Sequence, residues 1–77
     1  MIAQTDRLLD ARGVGEILGL STRSIWKQHV VGRLPPPVRI GRSVRWSQAE
    51  LVAWIRNGCP PRDRWAALWR QMNEGSQ

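Results

Sequence analysis

"VRIGRSVRW", Val38 to Trp46, alternates apolar and polar residues at the two-residue period of a strand, with Gly41 and Arg42 at its centre. It reads as a β-hairpin, and its register decides what the hairpin is for. With a two-residue turn at Gly41 and Arg42, Ile40 pairs with Ser43, and Val44 and Trp46 fall on the face opposite Val38 and Ile40. With a three-residue loop, Gly41 to Ser43, Ile40 faces Val44 and Val38 faces Trp46, which gathers all four apolar side chains on one side. The expectation is the second register, with a bulged turn, because it offers one whole face for burial. It sets Arg39 directly opposite Arg45 on the other face, with Arg42 at the tip. Like charges opposed across a strand pair cost up to ~1 kcal/mol. An anionic partner would reverse that sign, so the hairpin reads as a wing laid on a nucleic-acid backbone through Arg39, Arg42, Ser43 and Arg45.

Upstream, "RLPPP" (residues 33–37) forms a stiff arm, since successive prolines lack N–H donors and favour the extended polyproline conformation. Before it, "LLDARGVGEILGLS" (residues 8–21) offers Asp10 as N-cap, Val14, Ile17 and Leu18 on one helical face, and Gly19 as C-cap. Gly13 and Gly15 within that helix each cost ~1 kcal/mol relative to Ala, so something must want a small residue there; close crossing by another helix would explain Gly15. Ser21 caps a second helix, "TRSIWKQHVVG", ending at Gly32. Two short helices joined by a tight turn containing glycine describe a helix-turn-helix. The second helix carries Thr22, Arg23, Ser24 and Lys27 away from its inward residue Ile25; these donors suit base edges and phosphates, with Ser21 and the helix N-terminus near a phosphate. Trp26 has two readings, packing beside Ile25 at the domain edge or lying along a sugar–phosphate strand. His29 reads as a histidine satisfied locally at a domain edge.

Downstream, "SQAELVAWIRNG" (residues 47–58) has the S-x-x-E capping box at Ser47 and Glu50 ahead of an apolar face of Leu51, Trp54 and Ile55. Gly58, Pro60 and Pro61 end it. A last segment, "DRWAALWRQMNE" (residues 63–74), offers Asp63 as N-cap and an apolar stripe of Trp65, Leu68, Trp69 and Met72. That stripe either folds back to complete a thin core or serves self-association and partner contact.

The 77 residues suffice for one small domain, with 12 Lys+Arg against 6 Asp+Glu and a formal net charge of +6. Arginine supplies all of the basic residues except Lys27, and its planar fork of donors matches phosphate oxygens. Cys59 is the sole cysteine and His29 the sole histidine, so an intrachain disulfide is excluded and a Cys/His zinc site lacks ligands. No metal and no cofactor is expected. No nucleophile–base pair, paired carboxylates or phosphate loop points to an enzyme. Without a secretory leader or a stretch of roughly 20 apolar residues, the expected setting is a bacterial or phage-encoded cytoplasmic protein associated with the nucleoid, with no membrane partner.

In its ordered motifs the chain resembles the AlpA-type small winged helix-turn-helix proteins, close in pattern to phage and mobile-element excisionases. The resemblance covers roughly Leu8 to Ile55 and is carried by "LL" with "VGEILGLS", by "RSIWK", by "GRLPPPVRIGRSVRW" and by "SQAELVAWI", of which "PPPVRIGR" is the most specific. It implies a mainly α fold with a small β-hairpin: helix, helix, two-stranded wing, helix, then a C-terminal amphipathic helix. The expected organisation is a tail over residues 1–6, the DNA-binding domain over 7–58, and the C-terminal helix and tail over 59–77. The resemblance also implies sequence-specific binding of double-stranded DNA without catalysis. Such proteins act as transcriptional regulators or as recombination directionality factors, which bend DNA and bias a tyrosine integrase toward excision. By resemblance, Thr22, Arg23, Ser24 and Lys27 are major-groove readers, Arg42 and its neighbours are the wing contact, and Gly15 falls where the family has a small residue. Gln28 departs from the apolar residue usual there. The implied partners are double-stranded DNA, a tyrosine integrase and further copies of the chain on DNA. The directionality factor is the leading expectation, a dedicated transcriptional regulator its alternative. A protein-interaction module built on the Trp-rich last helix is the alternative from another class.

Overall fold

The computed structural model describes the backbone of residues 6–75 and the side chains of residues 6–72. In chain order it forms β1 (Leu8–Leu9), α1 (Ala11–Leu18), α2 (Thr22–Val30), β2 (Val38–Ile40), β3 (Ser43–Ser47), α3 (Gln48–Arg56) and α4 (Arg62–Gly75). This is a winged helix-turn-helix, mainly α, with an antiparallel sheet in the order β1-β3-β2. The expected N-terminal tail, apart from Asp6, and the last residues of the 59–77 segment lie outside the described residues.

Local chemistry builds the helix-turn-helix. The Asp10 carboxylate accepts the Gly13 N–H at 2.8 Å, Gly19 closes α1 at φ 73°, and Ser21 Oγ accepts the Ser24 N–H at 3.1 Å. Gly15 is required by the turn itself. Its carbonyl accepts the Leu20 N–H at 2.9 Å, so a side chain at position 15 would collide with the Leu20 carbonyl oxygen, with Ile25 Cγ1 alongside at 3.5 Å. The crowding expected from a crossing helix comes chiefly from turn backbone.

The wing takes the other register. Val38 pairs with Arg45, Arg39 with Val44, and Ile40 with Ser43, leaving Gly41 and Arg42 as a two-residue turn. Gly41 sits at φ 61° in the first central position, as a type II′ turn demands, and that turn matches the twist of the flanking strands. Turn chemistry therefore outweighed the collection of four apolar residues on one face. Trp46 and Val44 face the core, whereas Val38 and Ile40 remain 44% and 56% exposed. Arg39 and Arg45 consequently stand on opposite faces, and the like-charge opposition expected of them does not exist.

Strand β1 is a second departure: Leu8 pairs with Ser47 and Leu9 with Trp46, an element too short to show a period in sequence. It brings Asp6 to the N-terminus of α3. There Ser47 Oγ accepts the Glu50 N–H at 3.0 Å, but the Glu50 carboxylate does not close the capping box; it accepts the Trp65 indole N–H at 2.8 Å. Asp6 adds a second acceptor at this helix start, taking the Ser47 hydroxyl at 2.6 Å and the Ala49 N–H at 2.9 Å.

Slight burial pushes the Asp6 carboxyl up, but hydrogen bonds from Ser47, Ala49 and the Arg7 backbone outweigh it and hold the group below its usual 3.8. Because the folded state depresses this value, its stabilisation is present above pH 3.8 and is lost as pH falls through the folded value. Thermal melts of Asp6→Asn are expected to show a lower midpoint than wild type at neutral pH and a smaller loss on acidification.

The core is Ala11, Val14, Ile25, Leu34, Trp46, Leu51, Trp54 and Trp65. Each buried tryptophan has an acceptor for its N–H: Pro35 O for Trp46 at 3.0 Å, Pro60 O for Trp54 at 2.9 Å, and Glu50 for Trp65. The proline segments have carbonyls free of helix and strand ladders, and the tryptophans use them.

Helix α4 begins at Arg62, one residue before the expected N-cap. Pro61 O accepts the Trp65 N–H at 2.8 Å, which opens the helical ladder, so Asp63 lies in the first turn and its carboxylate accepts the Arg64 N–H. Trp65 is fully buried, Leu68 and Trp69 are half-buried against the core, and Met72 is exposed. Trp65 and Trp69 stack at 5.5 Å. Among the described residues, no helix is long and apolar enough to cross a membrane.

Candidate nucleic-acid interface

A cleft of about 420 Å³ lies between the N-terminal half of α2 and the wing. Thr22 and Trp26, one helical turn apart, form one wall, and Arg42, Ser43, Val44 and Arg45 form the other. Asp10, Ala11 and Arg12 from the start of α1 complete the lining. The structure thus brings together five of the residues singled out in sequence: Thr22, Trp26, Arg42, Ser43 and Arg45.

The others are placed differently. Arg23 and Lys27 are exposed on α2 outside the cleft lining. Ser21 is occupied as the helix cap, and its hydroxyl also meets Ser24 Oγ at 3.0 Å, so both hydroxyls are engaged within the turn. Arg39 shares the face of Val44 and Trp46 and is not among the cleft's lining residues, and its charge helps lower the His29 imidazole. Arg45 folds its guanidinium back onto the Val44 carbonyl at 2.9 Å.

Arg12 was missed in sequence. A cation in the first turn of a helix opposes the macrodipole, and α1 has no acidic residue there to offset it. That misplacement was the available signal. Arg12, Arg42 and Arg45 outnumber the one carboxylate in the lining, Asp10, which accepts the Gly13 N–H, and leave the cleft cationic. Fixed cations around a concave surface, beside the N-terminus of a helix, suit an anionic backbone.

Trp26 is packed on one side and open on the other. Its ring meets Trp46 at 5.5 Å and His29 at 5.9 Å, edge to face, while 40% of the residue stays exposed toward the wing. His29 completes this aromatic group, 5.6 Å from Trp46, and its Nδ1 lies 2.9 Å from Arg62 Nη2. An arginine can only donate, so Nδ1 accepts and the ring proton sits on Nε2. Burial, then the charges of Arg62 and Arg39, hold the imidazole below its usual 6.5. Among the described residues, no group of His, Cys, Asp and Glu is arranged to hold a metal ion.

A family model described as prophage CP4-57 regulatory protein (AlpA) matches residues 7–59. No curated protein and no solved structure matches the chain. The match covers well over half of the sequence and spans β1 through α3. The chain belongs to this family.

Proposed function

We propose that this AlpA-family chain is a sequence-specific double-stranded DNA-binding regulator of a prophage or mobile element, acting without catalysis in the cytoplasm at the nucleoid. The observation that carries the reading is the cationic cleft in which Thr22 and Trp26 of α2 face Arg42, Ser43 and Arg45 of the wing, with Arg12 also in the lining. In this reading α2 enters the major groove. Thr22, Arg23 and Lys27 reach base edges, Ser21 and Ser24 hold the helix start against a phosphate, and Arg12, Arg42, Ser43 and Arg45 follow the backbone. Arg39, outside the cleft lining, would meet the backbone beyond it.

The directionality-factor reading uses the same surface and adds a tyrosine integrase and cooperative self-association on DNA. An excision assay with purified integrase separates it from transcriptional regulation. A protein-interaction module built on Trp65, Leu68, Trp69 and Met72 has less support, since most of that stripe packs inward.

Fluorescence anisotropy with duplexes selected by the protein from a random pool tests the main reading. About six phosphate contacts give a slope of log K against log salt near −5. Arg42→Ala is expected to weaken selected and unrelated duplexes alike and to reduce that slope by about 1. Arg23→Ala is expected to cost ~1–3 kcal/mol on the selected duplex and little on others. Failure to bind any duplex at low salt and micromolar protein would count decisively against DNA recognition.

A further inference from the structure

Arg62 lies beyond the stretch matched by the family and opens α4, yet its side chain reaches back to the last turn of α2 and the residues that follow it. Its Nε–H donates to Leu34 O at 2.9 Å, and Nη2 donates to His29 O at 3.1 Å and to the His29 ring at 2.9 Å. Its backbone N–H donates to Gly32 O at 3.2 Å. One residue therefore closes over the last turn of α2 and the start of the proline arm, at a helix C-terminus, where a cation is favoured.

The contact reaches the cleft. The His29 ring held by Arg62 meets the Trp26 ring edge to face, and Trp26 forms part of the cleft wall opposite Arg42 and Arg45. Trp46 lies behind both rings and fixes the group to the core. We propose that Arg62 is a positioning residue, which through His29 sets the angle of α2 and of the Trp26 ring in the cleft and so makes α4 part of the apparatus that reads DNA sequence. The proposal rests on the DNA-binding reading above. The forked geometry matters: a guanidinium spans Leu34 O and His29 with separate N–H groups, whereas a lysine ammonium in the same place is a single point.

The lowered imidazole value agrees with this arrangement. A protonated ring cannot accept from Arg62, and it would face two cations, Arg62 from α4 and Arg39 from β2.

The test uses the full chain with Arg62→Ala, Arg62→Lys and His29→Leu. Affinities are measured for a duplex selected by the wild-type protein from a random pool and for an unrelated duplex of equal length. ¹H–¹⁵N spectra of the tryptophan indoles are recorded alongside. All three variants are expected to lose roughly five- to ten-fold on the selected duplex and to stay within about two-fold of wild type on the unrelated one. The Trp26 indole signal should move while those of Trp54 and Trp65 stay in place. A merely structural role would reduce binding to both duplexes together and leave their ratio unchanged, which overturns the proposal. Selectivity preserved in Arg62→Lys overturns the requirement for the fork. If Arg62→Ala does not fold, the lysine and His29 variants carry the same comparison. A wild-type protein that binds neither duplex defeats the DNA-binding reading itself and this proposal with it; wild-type selectivity that persists in all three variants defeats only the assignment to Arg62.

Discussion

Trp65→Ala is expected to leave much of the protein unfolded at 25 °C. Trp65 is fully buried in the small core it forms with Ala11, Val14, Ile25, Leu34, Trp46, Leu51 and Trp54. Truncating a buried tryptophan costs ~3–5 kcal/mol. A chain of this length has a total stability of about 4–12 kcal/mol, at ~0.05–0.15 kcal/mol per residue. The same change leaves the half-buried Glu50 carboxylate without its indole donor. Burial already pushes that carboxyl above its ordinary value, with the Trp65 N–H acting in the opposite direction and the Asp6 charge adding to the rise. Met72→Ala, at an exposed position of the same helix, is expected to cost under ~1 kcal/mol. Urea titrations of the two variants give the comparison, and a Trp65→Ala midpoint near that of wild type would show that α4 does not complete the core. The result also bears on truncation: removing residues 62–77 deletes Trp65 and Arg62, so loss of activity in that deletion reports on folding before it reports on any partner.

Gly15→Ala is the second large effect, and two forces compete in it. Inside a helix alanine is favoured over glycine by ~1 kcal/mol. Against that, the new methyl group meets the Leu20 carbonyl oxygen, backbone that the Leu20 N–H bond to Gly15 O holds in place. Overpacking of this kind costs ~1–3 kcal/mol and more where the obstacle is backbone, so the clash wins and the variant is destabilised. Gly13→Ala is the control. Its new carbon would lie 3.3 Å from Leu9 Cβ and 3.4 Å from Asp10 Oδ1, both side-chain atoms, and the propensity gain offsets most of the crowding. Thermal melts are expected to place Gly15→Ala lower than wild type by about 5–15 °C, at ~4–8 °C per kcal/mol, and Gly13→Ala within a few degrees of it. Equal midpoints for the two variants would contradict the turn geometry. Because α2 is hung on this turn, Gly15→Ala should also misplace Thr22 and Trp26 relative to the wing.

What could be read from sequence was what local chemistry determines. Asp10, Gly19, Ser21 and Ser47 act within a few residues of themselves, and each occupies the cap its residue type and position indicated. The wing's existence was equally legible, but its register was not, because two preferences conflict in "VRIGRSVRW". Gathering Val38, Ile40, Val44 and Trp46 on one face argued for a longer loop, while a glycine at the first turn position argued for two residues, and the turn prevailed. Trp46, with Val44 packed beside it, is the wing's contribution to the core. The role of Asp6 was out of reach, since its partners at the start of α3, the N-cap Ser47 and Ala49, are brought to it by a two-residue strand. Of the candidate site, Thr22, Trp26, Arg42, Ser43 and Arg45 converge on the cleft, Arg12 joins them unforeseen, and Arg39 lies outside its lining. The arginine count indicated an anionic partner; which arginines share a surface depended on the register.

The most direct test of DNA recognition by α2 and the wing is a residue-by-residue map of backbone amide shifts as a short selected duplex is added to the ¹⁵N-labelled protein. The largest shifts are expected at Arg12, at Ser21 to Lys27 and at Arg42 to Arg45, with Val31, Leu34 and Cys59, which line a groove elsewhere on the surface, unmoved. Shifts centred on that groove or on the exposed face of α4, with the α2–wing cleft silent, would contradict it.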